Sequence, residues 1–337
     1  MMRKSKILLI YTGGTIGMMK SDEEKYVPFS VDNLLNYIPR IHQLPISITT
    51  ESFEKPLDSS AIGPEGWLKL VSIIKSRYNE FDGFVVLHGT DTMAYSASAL
   101  GFLLNGLNKA VVFTGSQLPI SEVRSDARDN LITAIEISAS QKVPEVSVLF
   151  DNNLYRGVRS TKKNVENFDA FDSPNFPVLA TAGVNIKYNL NQVFKSEKEV
   201  AFFKKVNQNV ASIKLFPGMN FEFYTSMLEQ PKLQGLVLEV FGTGTVSFNK
   251  EQFSFFYKAL KLAIERGVIV MAISQCLKGE LDISRYEASS ILLELNVISG
   301  RDLTLEAAVS KMMIGLANFD DIRSVKDYLI NSQCGEF

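Results

Sequence analysis

Short runs of consecutive apolar residues alternate along the chain with stretches whose apolar positions recur every three or four residues. The runs at 7–11, Gly83–Leu87, Ala110–Thr114 and Val146–Phe150 are rich in β-branched and aromatic side chains. They show little polar alternation, as expected of strands buried on both faces. Between them Trp67, Leu70, Val71, Ile74 and Tyr78 fall on one helical face, and Pro64 occupies a favourable first-turn position. Met93, Ala97, Leu100 and Leu104 do the same after the second run, as do Leu131, Ala134, Ile135 and Ser138 after the third. Buried strands with helices between them predict a parallel sheet covered by helices on both sides.

The pattern weakens over 185–209, where Asn189, Asn191, Gln192, Lys195, Glu197 and Lys198 are polar and irregularly spaced. We read 189–209 as a linker. A second block follows, with strands beginning near 210, 235 and 267. Its helix carries Phe253, Phe256, Leu260 and Ile264 on one face, and Asn249 and Gln252 stand where a capping box would. The expected fold class is therefore α/β. A larger N-terminal domain, 1–188, has a mostly parallel sheet flanked by helices, and a smaller C-terminal α/β domain spans 210–337. The tail 331–337 is expected to fray.

Composition fits two packed interiors: 337 residues, 46% of them hydrophobic. The 35 basic and 37 acidic side chains leave a net charge of −2. That balance offers no footprint for nucleic acid and no polybasic patch for a membrane. No segment is long and apolar enough to span a bilayer, and the first apolar run is too short for a signal peptide, so a cytoplasmic protein is expected. Cys276 and Cys334 are far apart and outside any CxxC pattern, which argues against a disulfide scaffold or a thiolate zinc site. His42 and His88 are the only histidines, and no carboxylates cluster at ligand spacing, so no metal is expected.

Two motifs stand just past the ends of expected strands, where open parallel sheets place their ligands. In Tyr11-Thr12-Gly13-Gly14-Thr15-Ile16-Gly17, adjacent glycines allow a sharp turn and close approach to a ligand, and two threonines supply hydroxyls. The glycine spacing fits neither a dinucleotide fingerprint nor a phosphate-cradling loop, and the following Met18-Met19-Lys20-Ser21-Asp22-Glu23 reads as a flexible loop. The plain alternative is a tight turn with structural hydroxyls. The second motif, His88-Gly89-Thr90-Asp91-Thr92, opens the helix near Met93, and Thr90 or Asp91 can cap it. His88 and Asp91 could suggest a hydrolase triad, but the nucleophile elbow G-x-S-x-G is missing and a hydrogen-bonded core histidine is the simpler reading. A basic stretch, Tyr155 to Lys163, is ordinarily a solvated face. A lysine desolvated beside a hydroxyl and a carboxylate can, however, help to remove the hydroxyl proton.

Together these segments resemble the bacterial-type asparaginase family, in particular its cytoplasmic type I branch. The resemblance rests on Thr12-Gly13-Gly14-Thr15-Ile16-Gly17 and His88-Gly89-Thr90-Asp91-Thr92-Met93. Colinear satellites support it: Asp58-Ser59-Ser60, Thr114-Gly115-Ser116-Gln117-Leu118-Pro119, Arg124-Ser125-Asp126, Leu154-Tyr155-Arg156-Gly157 and Phe168-Asp169-Ala170-Phe171. It implies hydrolysis of the side-chain amide of L-asparagine to L-aspartate and ammonia, with Thr15 as nucleophile. Tyr26 would close over the substrate and assist proton transfer, and Lys162 with Asp91 would orient and activate the Thr90 hydroxyl. Backbone N–H groups near Thr90 and Ser116 would steady the oxyanion. Asp58, Ser59 and Ser60 match the stretch that holds the α-carboxylate, and Asp91 matches a contact to the α-amino group. Such a site needs no metal and no organic cofactor.

The resemblance also implies a homodimer or homotetramer. Thr161 and Cys276 match a regulatory asparagine pocket of some members, but Glu239 replaces that pocket's arginine and Thr245 an asparagine, so activation by asparagine is expected to be lost or altered. The plain reading of Cys276 is a small buried apolar residue. The segment from Thr15 to Ser30, charged and poor in apolar area, is expected to act as a lid. Alternative readings are a broad glutaminase-asparaginase, an ammonia-releasing amidotransferase subunit, and a non-catalytic amino-acid-binding protein on the same fold.

Overall fold

The structure is a computed structural model that describes residues 3–20, 26–28, 31–283 and 289–337; the side chains of 20, 26–28, 31–33, 40 and 42 lie outside the description. Two compact units divide at Lys204/Lys205. Among the described residues the first unit holds an eight-stranded sheet, in the spatial order Lys187–Tyr188, Ala180–Thr181, Asn153–Arg156, Val146–Phe150, Ala110–Thr114, Gly83–Leu87, Ser5–Tyr11, Ile46–Ser52. The last five run parallel, and the first three add antiparallel pairings at one edge. Ser5–Tyr11 lies between Ile46–Ser52 and Gly83–Leu87, so the chain leaves it to one side and returns on the other. That reversal opens a crevice at the carboxyl ends of the strands.

The reason the inner strands are so legible is their burial. Every residue of Gly83–Leu87, Ala110–Thr114 and Val146–Phe150 is buried, so both faces demand apolar side chains. Helices Pro64–Arg77, Met93–Leu103 and Ala127–Ser140 form where the periodicity places them, the first with Pro64 in its opening turn. Leu104 leaves the helical face expected for it and enters the short strand Leu104–Asn105, which pairs with Ala201–Phe202. The segment read as a linker thus contributes a strand to the first unit.

Among the described residues the second unit carries a four-stranded parallel sheet, Val210–Lys214, Gly235–Val240, Ile269–Ser274 and Ile298–Ser299. Its core packs Phe221, Phe248 and Phe256 together, with ring centroids 4.7 to 6.0 Å apart. Two expectations here fail. The helix Ser254–Glu265 has Phe253 as its N-cap, at φ 54°, with no side-chain cap. Asn249 instead accepts from the N–H groups of Glu251 and Gln252, closing a turn that precedes the helix.

The tail does not fray. The Glu336 carboxylate is fully buried and accepts from Lys311 Nζ at 2.7 Å and from the N–H groups of Gln333 and Cys334 at 2.9 Å. Lys311, equally buried, also donates to the carbonyls of Leu329 and Asn331 and lies 4.3 Å from the Phe337 ring centroid. Each charge is fully hydrogen-bonded, the condition under which burial of an ion pair is tolerated. Burial alone would raise the Glu336 carboxyl, but the Lys311 charge and the N–H donors outweigh it and hold it below the usual carboxylate range.

Candidate active site

Four loops leave the carboxyl ends of four neighbouring parallel strands, and each carries one of the conspicuous motifs. Gly13-Gly14-Thr15 follows Ser5–Tyr11, Asp58-Ser59-Ser60 follows Ile46–Ser52, Gly89-Thr90-Asp91 follows Gly83–Leu87, and Gly115-Ser116-Gln117 follows Ala110–Thr114. Backbone ties hold them at the rim. Thr12 donates to the Leu87 carbonyl through both its N–H (3.0 Å) and its hydroxyl (2.9 Å), and Leu57 N–H donates to the Thr12 carbonyl at 2.8 Å. Gly14, at φ 91°, adopts a conformation that L side chains rarely take. A Cβ there would stand 2.5 Å from the Cα of Gly89, so the two loops meet backbone to backbone. The contact sets Thr15 and Thr90, each the next residue in its loop, on the same rim.

Thr15 is half-buried and opens the single 3-10 turn Thr15–Gly17. The flexible loop expected beyond it is in part a hairpin, with Met18–Lys20 pairing antiparallel to Tyr26–Pro28. Tyr26 starts the returning strand; its side chain, and residues 21–25 and 29–30 of the expected lid, lie outside the described residues.

Thr90, Asp91 and Lys162 come together. Lys162 Nζ donates to Thr90 Oγ1 at 2.8 Å and to Asp91 Oδ1 at 2.6 Å. The lysine stands on a two-residue antiparallel pairing, Thr161–Lys162 with Phe171–Asp172. Just before it, the carbonyl of Gly157 accepts from Ser98 of the helix that follows Thr90, at 3.2 Å. The expectation that Thr90 or Asp91 caps this helix fails. Thr92 takes the N-cap position, and its hydroxyl donates to the Ser59 carbonyl at 2.6 Å. The Thr90 and Asp91 side chains are left for Lys162.

Ser59 is buried, whereas Asp58 and Ser60 are exposed. The Asp58 carboxylate accepts from the hydroxyl of Ser60 at 2.6 Å and its N–H at 2.9 Å, and these bonds hold its pKa below the ordinary value. Ser116 is buried, and its hydroxyl donates to the Leu118 carbonyl at 2.6 Å. Thr161 is half-buried in the first unit. Cys276 lies in the second and is exposed, so its reading as a small buried residue is overturned. Glu239 is half-buried at the end of its strand.

His88 is a core residue, as its position in the chain suggests. Nδ1 lies 2.7 Å from the Gly89 carbonyl, which can only accept, so this nitrogen carries the proton. Nε2 then accepts from Ser96 Oγ at 2.8 Å, and Ser96 in turn accepts from Trp67 Nε1 at 3.0 Å. Complete burial pushes the imidazole pKa down to about 4, leaving it neutral near pH 7.

Reading the chain alone missed several participants. Arg156 and Arg159, in the stretch read as a solvated face, are buried, and Arg156 Nε contacts Glu145 at 2.6 Å. Gln117 and Asp126 lie in segments that carry the family resemblance and have no role implied by it, yet Gln117 reaches Thr90 and Asp126 anchors the Gln117 backbone. Among the described residues no group of three or more His, Cys, Asp or Glu side chains could hold a metal ion.

A mostly parallel α/β sheet with hydroxyls, a lysine and a carboxylate at its switch point defines a hydrolase-type crevice. The chain belongs to the asparaginase family: residues 6–194 match the family described as "Asparaginase, N-terminal" and residues 209–329 the "Glutaminase/Asparaginase C-terminal domain". It is 37% identical to L-asparaginase 1 of Escherichia coli K12, over 99% of this chain and 98% of that protein. It is 35% identical to the 60 kDa lysophospholipase of Homo sapiens, over 91% of this chain and 57% of that protein. The crystal structure of L-asparaginase I from Vibrio cholerae superposes with a TM-score of 0.89 at 37% identity, covering 99% of both chains.

Proposed function

We propose that this enzyme hydrolyses the side-chain amide of L-asparagine to L-aspartate and ammonia. The observation that carries the reading is Lys162 Nζ held between Thr90 Oγ1 and Asp91 Oδ1 on the rim shared with Thr15. Thr15 Oγ attacks the amide carbon. Its proton passes to the departing nitrogen, which leaves as ammonia, and the resulting ester is cleaved by water. Thr90, polarised by Lys162, acts on the nucleophile or on that water, and Tyr26 assists proton transfer. N–H groups near Thr90 and Ser116 face the developing oxyanion, a role suited to backbone donors because they need no reorganisation. In the stretch 58–60 the donors of Ser59 and Ser60 suit the α-carboxylate. Asp58, an acceptor already committed to Ser60, positions that turn, and Asp91 suits the α-ammonium.

The enzyme is proposed to work in the cytoplasm as a homodimer or homotetramer, with no metal or organic cofactor. Glu239, at the strand end expected to supply a cation, supports a reading in which any regulatory site at Thr161 and Cys276 no longer answers to asparagine. Ammonia release from L-asparagine and L-glutamine across a concentration series tests the whole reading. Release from asparagine alone, along a hyperbolic curve, is expected. Equal rates would widen the substrate class, a sigmoidal curve abolished by substituting Cys276 would restore the regulatory site, and no release from folded protein would overturn the activity.

A further inference from the structure

We propose that Gln117 is a positioning residue that fixes the direction of the Thr90 hydroxyl, an inference that rests on the reading of Thr90 and Lys162 above. The Gln117 side chain bridges the loop after Ala110–Thr114 and the loop after Lys162. Its Nε2 faces two carbonyl oxygens, Val165 at 3.1 Å and Asn167 at 3.0 Å. Carbonyls can only accept, so the amide nitrogen must lie on that side. A flipped amide would set three oxygens against one another.

The amide oxygen therefore faces Thr90, with Oγ1 at 3.4 Å from Oε1. The glutamine oxygen has no hydrogen to offer, so a hydrogen bond across this contact has the Thr90 hydroxyl as its donor. In that arrangement the Thr90 proton points to Gln117. A lysine ammonium, conversely, only donates, so Thr90 Oγ1 accepts from Lys162 Nζ at 2.8 Å. A hydroxyl has one proton and two lone pairs. The proton and one lone pair are committed, and the remaining lone pair is presented as an acceptor. That lone pair can accept a hydrogen bond from the Thr15 hydroxyl or a water and so orient it for attack, while the proton itself passes to the departing nitrogen. At 3.4 Å the Gln117 contact is long for an O–H···O bond, so it directs the proton without gripping it.

The backbone beneath Gln117 is pinned for this purpose. Asp126 accepts from Gln117 N–H at 3.1 Å and Leu118 N–H at 3.2 Å, and Asn130 Nδ2 donates to Asp126 and to the Gly115 carbonyl. On the other side, Asn164 Oδ1 accepts from the N–H of Glu166 and holds the loop that presents Val165 and Asn167. One amide thus ties the loop after Lys162 to the hydroxyl that Lys162 serves.

Ammonia release from L-asparagine by the parent, Gln117→Met, Thr90→Val and the double variant tests the proposal. Gln117→Met should lose about 10- to 100-fold in kcat, with KM within about threefold and an unchanged unfolding midpoint. Because Gln117 acts through Thr90, adding Gln117→Met to Thr90→Val should cost less than about threefold more. A Gln117→Met kcat within threefold of the parent, or a double variant slowed by the product of the two single effects, would overturn it. Gln117→Glu supplies an arm that keeps the side-chain volume. Its kcat relative to the parent should rise from about pH 8 to about pH 5, as the carboxyl gains a proton and a donor returns toward the carbonyls. A flat ratio would count against the proposal. Turnover surviving in Lys162→Met would instead sink the underlying site reading, independently of the Gln117 result.

Discussion

Two lysines in this molecule contact a carboxylate at nearly the same distance, and their surroundings separate chemistry from architecture. Lys162 lies 2.6 Å from Asp91 and Lys311 2.7 Å from Glu336. The first pair stands at a crevice, with side chains 15% and 68% exposed; the second is sealed, at 0% for both. Lys162 spends a further proton on a threonine hydroxyl, which is a reactive group. Lys311 spends its protons on two carbonyls, which are not. A short ion pair is therefore no signature of a site. What marks one is access together with a partner whose chemistry can change.

The sharpest way to break the comparison is to remove each lysine. Lys162→Met should lower turnover of L-asparagine by at least about 10³-fold, with stability nearly unchanged. Steady-state ammonia release beside a denaturant titration reads both. Lys311→Met should do the reverse, because an uncompensated buried carboxylate costs about 3–5 kcal/mol. Turnover per folded molecule should stay within about threefold of the parent. Equal losses of turnover in the two variants would abolish the distinction between the two lysines.

A pH series sharpens it. The Glu336 carboxyl is held low when folded, so its contribution is present above the unfolded value and is lost as pH falls through the lower folded one. His88 acts over a different window. Its folded pKa of about 4 lies below the ordinary 6.5, so between these values the unfolded chain binds more protons and stability falls on acidification. The slope approaches about 1.4 kcal/mol per pH unit. Denaturation midpoints should show it in the parent and lose it in His88→Gln. The smallest effect is expected next door to the active pair. Lys163 meets Asp169 at 3.0 Å on the surface, and Lys163→Ala should change stability by less than about 1 kcal/mol and leave turnover unaltered.

The fold was largely legible in the chain because its inner strands are buried on both faces and therefore almost wholly apolar, Thr114 and Ser147 apart. The loops of the crevice were legible because glycine pairs and hydroxyls concentrate at strand ends. What escaped was short or long-range. The Met18–Lys20 and Tyr26–Pro28 strands are three residues each, too brief for any period to register. Glu336 finds its partner 25 positions away on another element, and a polar tail carries no local sign of that. Asn249 looked like a helix cap because the residue type and spacing were right, but its oxygen closes the turn before the helix. Gln117 was visible within a motif, yet nothing in its neighbours names two carbonyls 48 and 50 residues downstream. Residue roles within the crevice belong to the same class, since they follow from contacts between loops rather than from any one loop.

The meeting of Gly14 with Gly89 bears on how this enzyme could be altered in the laboratory. A Cβ at Gly14 would meet the backbone of Gly89 at 2.5 Å, and one at Gly89 would meet the Ser59 side chain at 2.8 Å, so neither position takes a side chain unless its neighbours shift. A mutant library that randomises the two loops freely would consist mainly of misfolded clones. A productive library holds both glycines and Asp91 constant and varies the exposed positions 58 and 60 around them. Selection for a new amide would then search the walls of the crevice while the contact of two bare backbones stays in place.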